Sequence, residues 1–383
     1  MMRSVPAYAG ASPGRPDTHR IRTVVSLIHP LQHLVVTEHL ITWDSCSCSC
    51  TVSGLCNTHS CRLLNCCAMC RTCAALLLLI SSLTLAQPTP QSQQPAPPTG
   101  LARLRTNIEQ IASSVDTHWA IYIKCLDTNE EIAINAEEQM DTMSVIKVPL
   151  MIEAFRQIGE RKFSLADRYT LKNADKRPGT GVIRSLDEGA SLTMKDLITL
   201  MIIVSDNTAT DVMFSKVGGP QAVNTLMQQY GLNSVRATGY ADDWFKALDA
   251  AGSPVKFHAA RQHPFGLSSP RDMGNLLERI ANGQAVSKQA SEEMLAIMRG
   301  QLYRTRLPKY ISGFQLPHKT GDFVPWIAND VGLLINGQHK IVICVFTDKA
   351  DIAEGEPTAL IGAAIEDAIG RVAQQVADYY GFK

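Results

Sequence analysis

The sequence predicts an α/β protein of the α+β type, in which an antiparallel sheet is flanked by the N- and C-terminal helices and joined to an all-helical lobe. Two observations carry this prediction. Strand patterns stand at both ends of the region from Leu101 to the C-terminus, and helical patterns fill its middle. Strands so distant in the chain can share one sheet only if the helices between them form a layer of their own.

Hydrophobic periodicity and capping residues predict the individual elements. A helix over 101–114 precedes a hairpin made of "WAIYIKCLD" and "EEIAINA". Six helical segments follow; the second begins with Thr193 and Asp196 as a capping box, the third ends in glycines, and the fifth has Pro270 in its first turn. The strands "FQLPHKTG", "NDVGLLING" and "HKIVICVFTD" then precede a long amphipathic helix over about 358–380.

The first hundred residues differ in kind from the rest. Nine of the eleven cysteines fall between Cys46 and Cys73. Spacings such as "CSCSC" and "CRTC" allow a zinc site, but no strand or helix pattern supports one. The competing interpretation is a secretory signal peptide over 69–86, because Arg71 precedes the apolar "AALLLLISSLTL" and "TLA" offers a cleavage site before Gln87.

These observations divide the chain into four parts. Residues 1–68 form a mis-assigned or disordered extension, 69–86 the signal peptide, 87–100 a Pro/Gln-rich linker and 101–383 the folded domain. An apolar run of about a dozen residues is too short to span a membrane, so we expect a secreted or periplasmic protein with no stable membrane span. With a net charge of zero the chain shows no sign of a nucleic-acid partner, and we expect a monomer without cofactors.

Three short motifs in the domain carry the candidate chemistry. "SVIK" places Ser144 and Lys147 three residues apart at a helix start, where such side chains share a face. Alone this pattern is weak evidence, since "SPVK" repeats it in a predicted loop, and a plain surface helix would be the better interpretation. The motifs "SDN" at 205–207 and "KTG" at 319–321 reverse that preference, because all three in this order are far less expected by chance.

The set "SVIK", "SDNTA" and "HKTG" resembles the class A β-lactamase family over roughly the whole region from Leu101 onward. The resemblance implies that Ser144 is the acylated nucleophile, that Lys147 accepts or relays its proton, and that Ser205 passes a proton to the leaving nitrogen. It also implies an oxyanion hole made by the backbone N–H groups of Ser144 and Asp322 and a mechanism without a metal ion. The residues implied to contact the substrate are Asn207, Lys319, Thr320 and Gly321.

One feature of the family is missing. Members that hydrolyse β-lactams carry a glutamate in an E-x-x-L-N loop, which positions the water that cleaves the acyl-enzyme. The segment "YADDWFKALDAAGS", predicted to be that loop, has Phe245 near the place of the glutamate, and its aspartates have about 1.5 Å less reach. Between the second and third motifs, glutamates occur only in the two later predicted helices, at Glu278, Glu292 and Glu293.

Three functions therefore stay open. The first is a β-lactamase that is slow in deacylation, because losing a general base typically costs about 10² to 10⁴ in that step. The second is a penicillin-binding-protein-like D-Ala-D-Ala peptidase or a related hydrolase of peptidoglycan. The third is a non-catalytic binding protein on the same fold. In the first two the partner is a small molecule, a β-lactam or a cell-wall peptide.

Two details call for structural evidence. The acidic Asp322 would repel a substrate carboxylate unless it points away, and strand alternation does place it on the face opposite to Lys319. The strands that carry Cys125 and Cys344 pair in the family. A disulfide between them is therefore conceivable, although a free buried cysteine is the commoner case.

Overall fold

The computed structural model describes residues 100–313, 316–349, 352 and 356–382. All of them belong to one compact unit, which spans residues 92–383. The predicted N-terminal extension, the signal peptide and all but the last residue of the linker lie outside the described residues. Within the described part, no helix has the length and apolar character needed to cross a bilayer.

The helices and strands follow the predicted order. The α-helices of the described residues are α1 (Gly100–Ser113), α2 (Lys147–Gly159), α3 (Met194–Ile203), α4 (Asn207–Val217), α5 (Pro220–Gln229), α6 (Ala241–Ala251), α7 (Pro254–Ala260), α8 (Pro270–Ala281), α9 (Lys288–Arg299) and α10 (Thr358–Tyr379). The strands are β1 (His118–Cys125), β2 (Glu131–Ile134), β3 (Met140–Asp141), β4 (Arg168–Thr170), β5 (Ser191–Thr193), β6 (Arg236–Ala237), β7 (Gly266–Ser268), β8 (His318–Phe323), β9 (Ile327–Ile335) and β10 (Lys340–Asp348).

Five strands from both ends of the domain form the main sheet. Its order is β2-β1-β10-β9-β8, and its pairings are antiparallel, so that the first strand lies beside the last. The terminal helices α1 and α10 cover one face with a core that includes Ile108 and Ile369. The helical lobe covers the other face with a core that includes Met151 and Leu277. The predicted fold class is confirmed.

The predicted helix ends are also confirmed. The Thr193 hydroxyl accepts the N–H of Asp196 at 3.1 Å, and the Asp196 carboxylate accepts the N–H of Thr193 at 2.9 Å. Gly218 ends α4 with a φ of 97°, which only glycine adopts without strain. Pro270 occupies the first turn of α8.

The prediction of a loop over "YADDWFKALDAAGS" is wrong. This segment forms α6, and Ser253 of "SPVK" is the N-cap of α7. In α6 the side chain of Trp244 is buried, whereas Asp242 and Lys246 form an exposed ion pair one turn apart. The loop was expected from the resemblance to the family's E-x-x-L-N segment, whereas the spacing of the apolar residues is that of a short amphipathic helix.

No disulfide joins the two cysteines of the described region. Strands β1 and β10 pair as expected, but the register sets Cys125 opposite Ile341 and Cys344 opposite Tyr122. Cys125 belongs to the core beneath the terminal helices, and Cys344 belongs to the core of the lobe. Because the two thiols lie on opposite faces of the sheet, no bridge can form without breaking the strand.

Candidate active site

Ser144 lies on a tight turn between the sheet and the lobe. A short 3₁₀ helix, Met143–Ile146, precedes α2, so Ser144 stands one turn before the first residue of the α-helix. Met143 has a φ of 45°, and its N–H donates to a carboxylate oxygen of Asp141 at 2.8 Å. Burial raises the pKa of Asp141 to about 7. The buried side chains of Val145 and Ile146 fix the turn in the core.

Lys147 is fully buried beneath this turn. Its Nζ donates to the Ser205 carbonyl at 2.7 Å, to the Ser205 hydroxyl at 3.0 Å and to Oδ1 of Asn207 at 2.9 Å. Burial lowers the pKa of Lys147 well below its usual value, and the charge of Lys319 lowers it further. Three donated bonds correspond to the ammonium form; the neutral amine has two N–H groups and a lone pair, which can accept the proton of the Ser205 hydroxyl in place of the third donated bond.

The "SDN" turn links α3 to α4 and carries two of the predicted side chains. Ser205 has a φ of 54°, in the left-handed region, and the Asp206 carboxylate stabilises the turn from within. That carboxylate accepts three backbone N–H bonds, from Val182 at 2.7 Å, Ile183 at 2.8 Å and Ala209 at 2.9 Å. Asn207 then donates to the Pro178 carbonyl at 3.0 Å while it accepts from Lys147.

Lys319, on strand β8 of the sheet, also contacts the Ser205 hydroxyl. Its Nζ donates to Oγ of Ser205 at 3.0 Å and to the Thr320 carbonyl at 2.7 Å. Burial lowers the pKa of Lys319 to about 8, although the carboxylate of Asp322 opposes this shift. The Ser205 hydroxyl therefore bridges two buried lysines, one from the lobe and one from strand β8.

Gly321 allows β8 to lie directly against the turn that carries Ser144. A Cβ built on Gly321 would lie 3.2 Å from the Ser144 nitrogen and closer still to the Thr142 carbonyl oxygen. The resemblance implied that Gly321 contacts the substrate. The close neighbour in the structure is the backbone of the serine turn, so any side chain at this position would push the two apart.

Asp322 points away from Lys319 toward Arg306, as the strand alternation predicted. Arg306 is fully buried, forms an ion pair with Asp322, and also contacts Glu366 at 2.8 Å and the Asn329 carbonyl at 2.7 Å. The negative charge beside the "KTG" motif is thus neutralised within the protein. Sequence reasoning missed Arg306, because a lone arginine in "QLYRTRLP" carries no recognisable signal.

Ser144 and Asn207 line a cavity of about 200 Å³ with an aromatic wall. The wall consists of Trp244 and Phe245 from α6, together with Phe265 and Phe323. A Cβ on Gly179 would lie only 2.6 Å from the Phe245 ring and 2.7 Å from Nδ2 of Asn207, so the ring packs tightly beside the motif residues.

The carboxylates of α6 point elsewhere. Asp242 pairs with Lys246 at 2.6 Å, and neither Asp242 nor Asp243 lines this cavity in the described part of the chain. The glutamates predicted to lie on later helices do so: Glu278 of α8 binds Lys124 at 2.8 Å, and Glu293 of α9 binds Lys195 at 2.6 Å.

An antiparallel sheet, a helical lobe, and a serine beside two buried lysines at their junction define a serine β-lactamase-type hydrolase. The family model described as "Beta-lactamase enzyme family" matches residues 103–380, so the chain belongs to that family. Beta-lactamase L2 of Stenotrophomonas maltophilia is 24% identical over 55% of this chain and 65% of its own length.

Solved structures agree with this assignment. A beta-lactamase from Sphaerobacter thermophilus has a TM-score of 0.61 at 26% identity, covering 74% of this chain and 97% of that one. A leucine-to-glutamate mutant of PBP-A, solved as an acyl-enzyme complex with penicillin G, has a TM-score of 0.60 at 21% identity, covering 73% and 96%. The second likeness concerns the fold alone.

Proposed function

We propose that this protein forms an acyl-enzyme on Ser144 with β-lactams and releases it slowly. The observation that carries the proposal is the Ser205 hydroxyl, which both Lys147 and Lys319 contact at 3.0 Å, while Asn207 of the same turn lines one cavity with Ser144. A hydroxyl in contact with Lys147 can pass a proton from this lysine to the lactam nitrogen, which has to be protonated when the ring opens. Residues 69–86 would direct the chain out of the cytoplasm as a signal peptide.

The order of the acylation steps is the one that the motif resemblance implies, and the contact of Lys147 with the Ser205 hydroxyl supports the proton transfer. The neutral Lys147 amine takes the proton of the Ser144 hydroxyl, and the resulting alkoxide attacks the lactam carbonyl carbon. The backbone N–H groups of Ser144 and Asp322 bind the developing oxyanion, and one such donor is typically worth about 10² to 10³ in rate. As the C–N bond breaks, the Ser205 hydroxyl donates its proton to the leaving nitrogen and receives in its place the proton that Lys147 took from Ser144.

Substrate binding uses the opposite side of the cleft. The Lys319 ammonium attracts the substrate carboxylate, and the Thr320 hydroxyl has no hydrogen-bond partner among the described residues, which leaves it available to the same group. The amide of Asn207, already oriented by Lys147 and Pro178, binds the amide side chain of the substrate.

Slow release follows from Phe245. Phe245 lines the cavity at the place that the resemblance gives to the glutamate, and an aromatic ring cannot accept a proton from water. Asp322, which also lines the cavity, is paired with Arg306. The same observation favours a second candidate, a penicillin-binding-protein-like D-Ala-D-Ala peptidase, in which β-lactams act as trapping inhibitors. The leaving D-Ala amine would then take the proton from Ser205.

The test uses the purified chain with a chromogenic cephalosporin and intact-mass spectrometry. We expect a burst of about one equivalent, slow turnover, and an acyl adduct that Ser144→Ala abolishes. Ser253→Ala is the matched control, because Ser253 belongs to the other S-x-x-K and caps α7. An adduct that persists in Ser144→Ala, or its absence from the wild type, would contradict acylation at Ser144; release of D-Ala from a cell-wall peptide would favour the peptidase.

A further inference from the structure

Three side chains of types that can bind metal ions lie close together at the end of the sheet, where β1 ends and β10 begins. Cys125 is paired with Ile341, and beyond the ladder the N–H of Leu126 still donates to the Lys340 carbonyl at 2.8 Å. The alignment of the two strands therefore sets Asp127 opposite His339. Alternate residues share a face of a sheet, so Cys125, Asp127 and His339 project to the same side.

The side chains are as close together as this alignment implies. One donor atom from each, the Cys125 sulfur, an Asp127 carboxylate oxygen and a His339 ring nitrogen, all lie within 4.8 Å of one another. Nδ1 of His339 lies 3.8 Å from Oδ2 of Asp127, beyond hydrogen-bond distance. This nitrogen is buried and has no hydrogen-bond partner within the described part of the chain. A buried nitrogen without a partner can be satisfied by a bound ion or by a water molecule.

We propose that Cys125, Asp127 and His339 bind a divalent transition-metal ion of the Zn²⁺ type. Thiolate, imidazole and carboxylate are all zinc ligands, with bonds of about 2.0 to 2.3 Å, so nitrogen and oxygen ligands at tetrahedral angles lie about 3.4 Å apart. The distance of 3.8 Å has to shorten by only a few tenths of an ångström. The thiolate selects against Mg²⁺ and Ca²⁺, which prefer oxygen ligands.

The surroundings of the three residues suit a bound ion. Oδ2 of Asp127 accepts the N–H of Lys340 at 2.8 Å, which orients the carboxylate, and the Tyr380 ring packs against the His339 ring at 5.7 Å. Cys125 is buried, whereas Asp127 is exposed, so solvent can supply the ion and a water as fourth ligand. Binding releases the thiol proton and joins the two hairpin turns at this end of the sheet.

Zinc content of the full reduced chain, measured after equilibrium dialysis, tests the proposal. The N-terminal cysteines can also take up zinc, so the decisive quantity is the difference between the wild type and each variant. The variants are Cys125→Ser, Asp127→Asn and His339→Gln. Cys344→Ser is the matched control, because it removes the other buried free thiol of the described region, on the opposite face of the sheet.

We expect Cys125→Ser and His339→Gln each to bind one equivalent of zinc less than the wild type. These two variants should also lose the rise in unfolding midpoint that zinc causes, whereas Cys344→Ser should keep its zinc and this rise. If Cys125→Ser fails to fold, the partly exposed Asp127→Asn and His339→Gln decide the matter. Zinc content and a midpoint rise unchanged in these variants would overturn the proposal. An equal loss in Cys344→Ser would overturn it as well, because that thiol is not part of the cluster.

Discussion

At the scale of single residues, the site depends on keeping two lysine amines close to one hydroxyl without both being charged. Lys147 and Lys319 are fully buried, and each donates to Oγ of Ser205 at 3.0 Å. Burial lowers the pKa of both, but carboxylates near Lys319 limit its shift. At neutral pH the two amines therefore have different tasks, a base at Lys147 and a cation at Lys319.

The pH dependence of acylation follows from this division. Lys319 has a pKa of about 8, so it is charged below that pH and neutral above it. We expect kcat/KM for a β-lactam that carries a carboxylate to fall as the pH rises through about 8, mainly because KM increases. In Lys319→Arg this fall is absent, because arginine stays protonated. A wild-type rate that is flat up to about pH 9 would contradict the assignment of Lys319 as carboxylate receptor.

A carboxylate in the aromatic wall should accelerate release of the acyl-enzyme. Phe245 lines the cavity beside Ser144, and its ring touches the space next to Gly179. For Phe245→Glu we expect deacylation at least about tenfold faster, toward the 10² to 10⁴ of a general base. The control is Phe245→Gln, because glutamine has nearly the size and polarity of glutamate but cannot act as a general base. Single-turnover decay of the adduct is the measurement, and equal rates in both variants would reject a chemical role.

The motif residues were predictable from sequence because each carries its own signal. Ser144, Lys147 and the residues of "SDN" and "KTG" stand at distinctive spacings. Arg306 and the orphaned His339 were not predictable. Their roles arise from contacts across the sheet and its edge, which no local pattern encodes.

At the scale of elements, the loop over 177–183 packs against the "SDN" turn and helps to shape the cleft. Gly181 has a φ of 111°, and a Cβ there would collide with the Asp206 carboxylate and lie 2.6 Å from its Cα. This carboxylate also accepts the N–H groups of Val182 and Ile183. The loop over 177–183 and the helix cap of α4 are therefore one packed unit.

A pair of glycine substitutions separates packing from backbone strain. Gly181→Ala and Gly189→Ala both add a methyl group at a positive φ, 111° and 90°, but a Cβ on Gly189 meets nothing within 4 Å. We expect Gly189→Ala to cost about 1 to 2 kcal/mol from strain alone. Gly181→Ala should cost at least about 2 kcal/mol more and lower the acylation rate. Denaturant unfolding measures both, and equal losses would show that the Asp206 contact has no energetic weight.

The helices α6 and α7 show where element prediction failed. The signals that identified other helices were present here too, since Gly252 ends α6 with a φ of 67° and Pro254 lies in the first turn of α7, but the resemblance led us to interpret the segment as a loop. In α6 the buried face is small, with Ala241 and Trp244 fully covered, and the flanking segments are rich in glycine and polar residues. A helix of this kind is stabilised by the aromatic contacts of Trp244 with Phe257 and Phe323, which join segments distant in sequence.

At the scale of the whole molecule, β10 separates two cores. Its residues alternate strictly, so that Val342 packs into the lobe core and Val345 packs beneath the terminal helices. Strand β10 lies between β1 and β9, which come from opposite ends of the domain. The sequence predicted both layers from the order of strands and helices. It could not predict the register, which decides that the two cysteines face apart.

The shared strand predicts a single cooperative unfolding transition. Val342→Ala and Val345→Ala make the same change at two fully buried positions of one strand, on opposite faces. Each should cost about 2 kcal/mol through lost burial and a small cavity, which lowers the unfolding midpoint by several degrees. Because both cores depend on the same hydrogen-bonded sheet, circular dichroism and tryptophan fluorescence should shift together in both variants. Two separated transitions, with only one moved by each variant, would show that the lobe and the terminal-helix layer unfold independently.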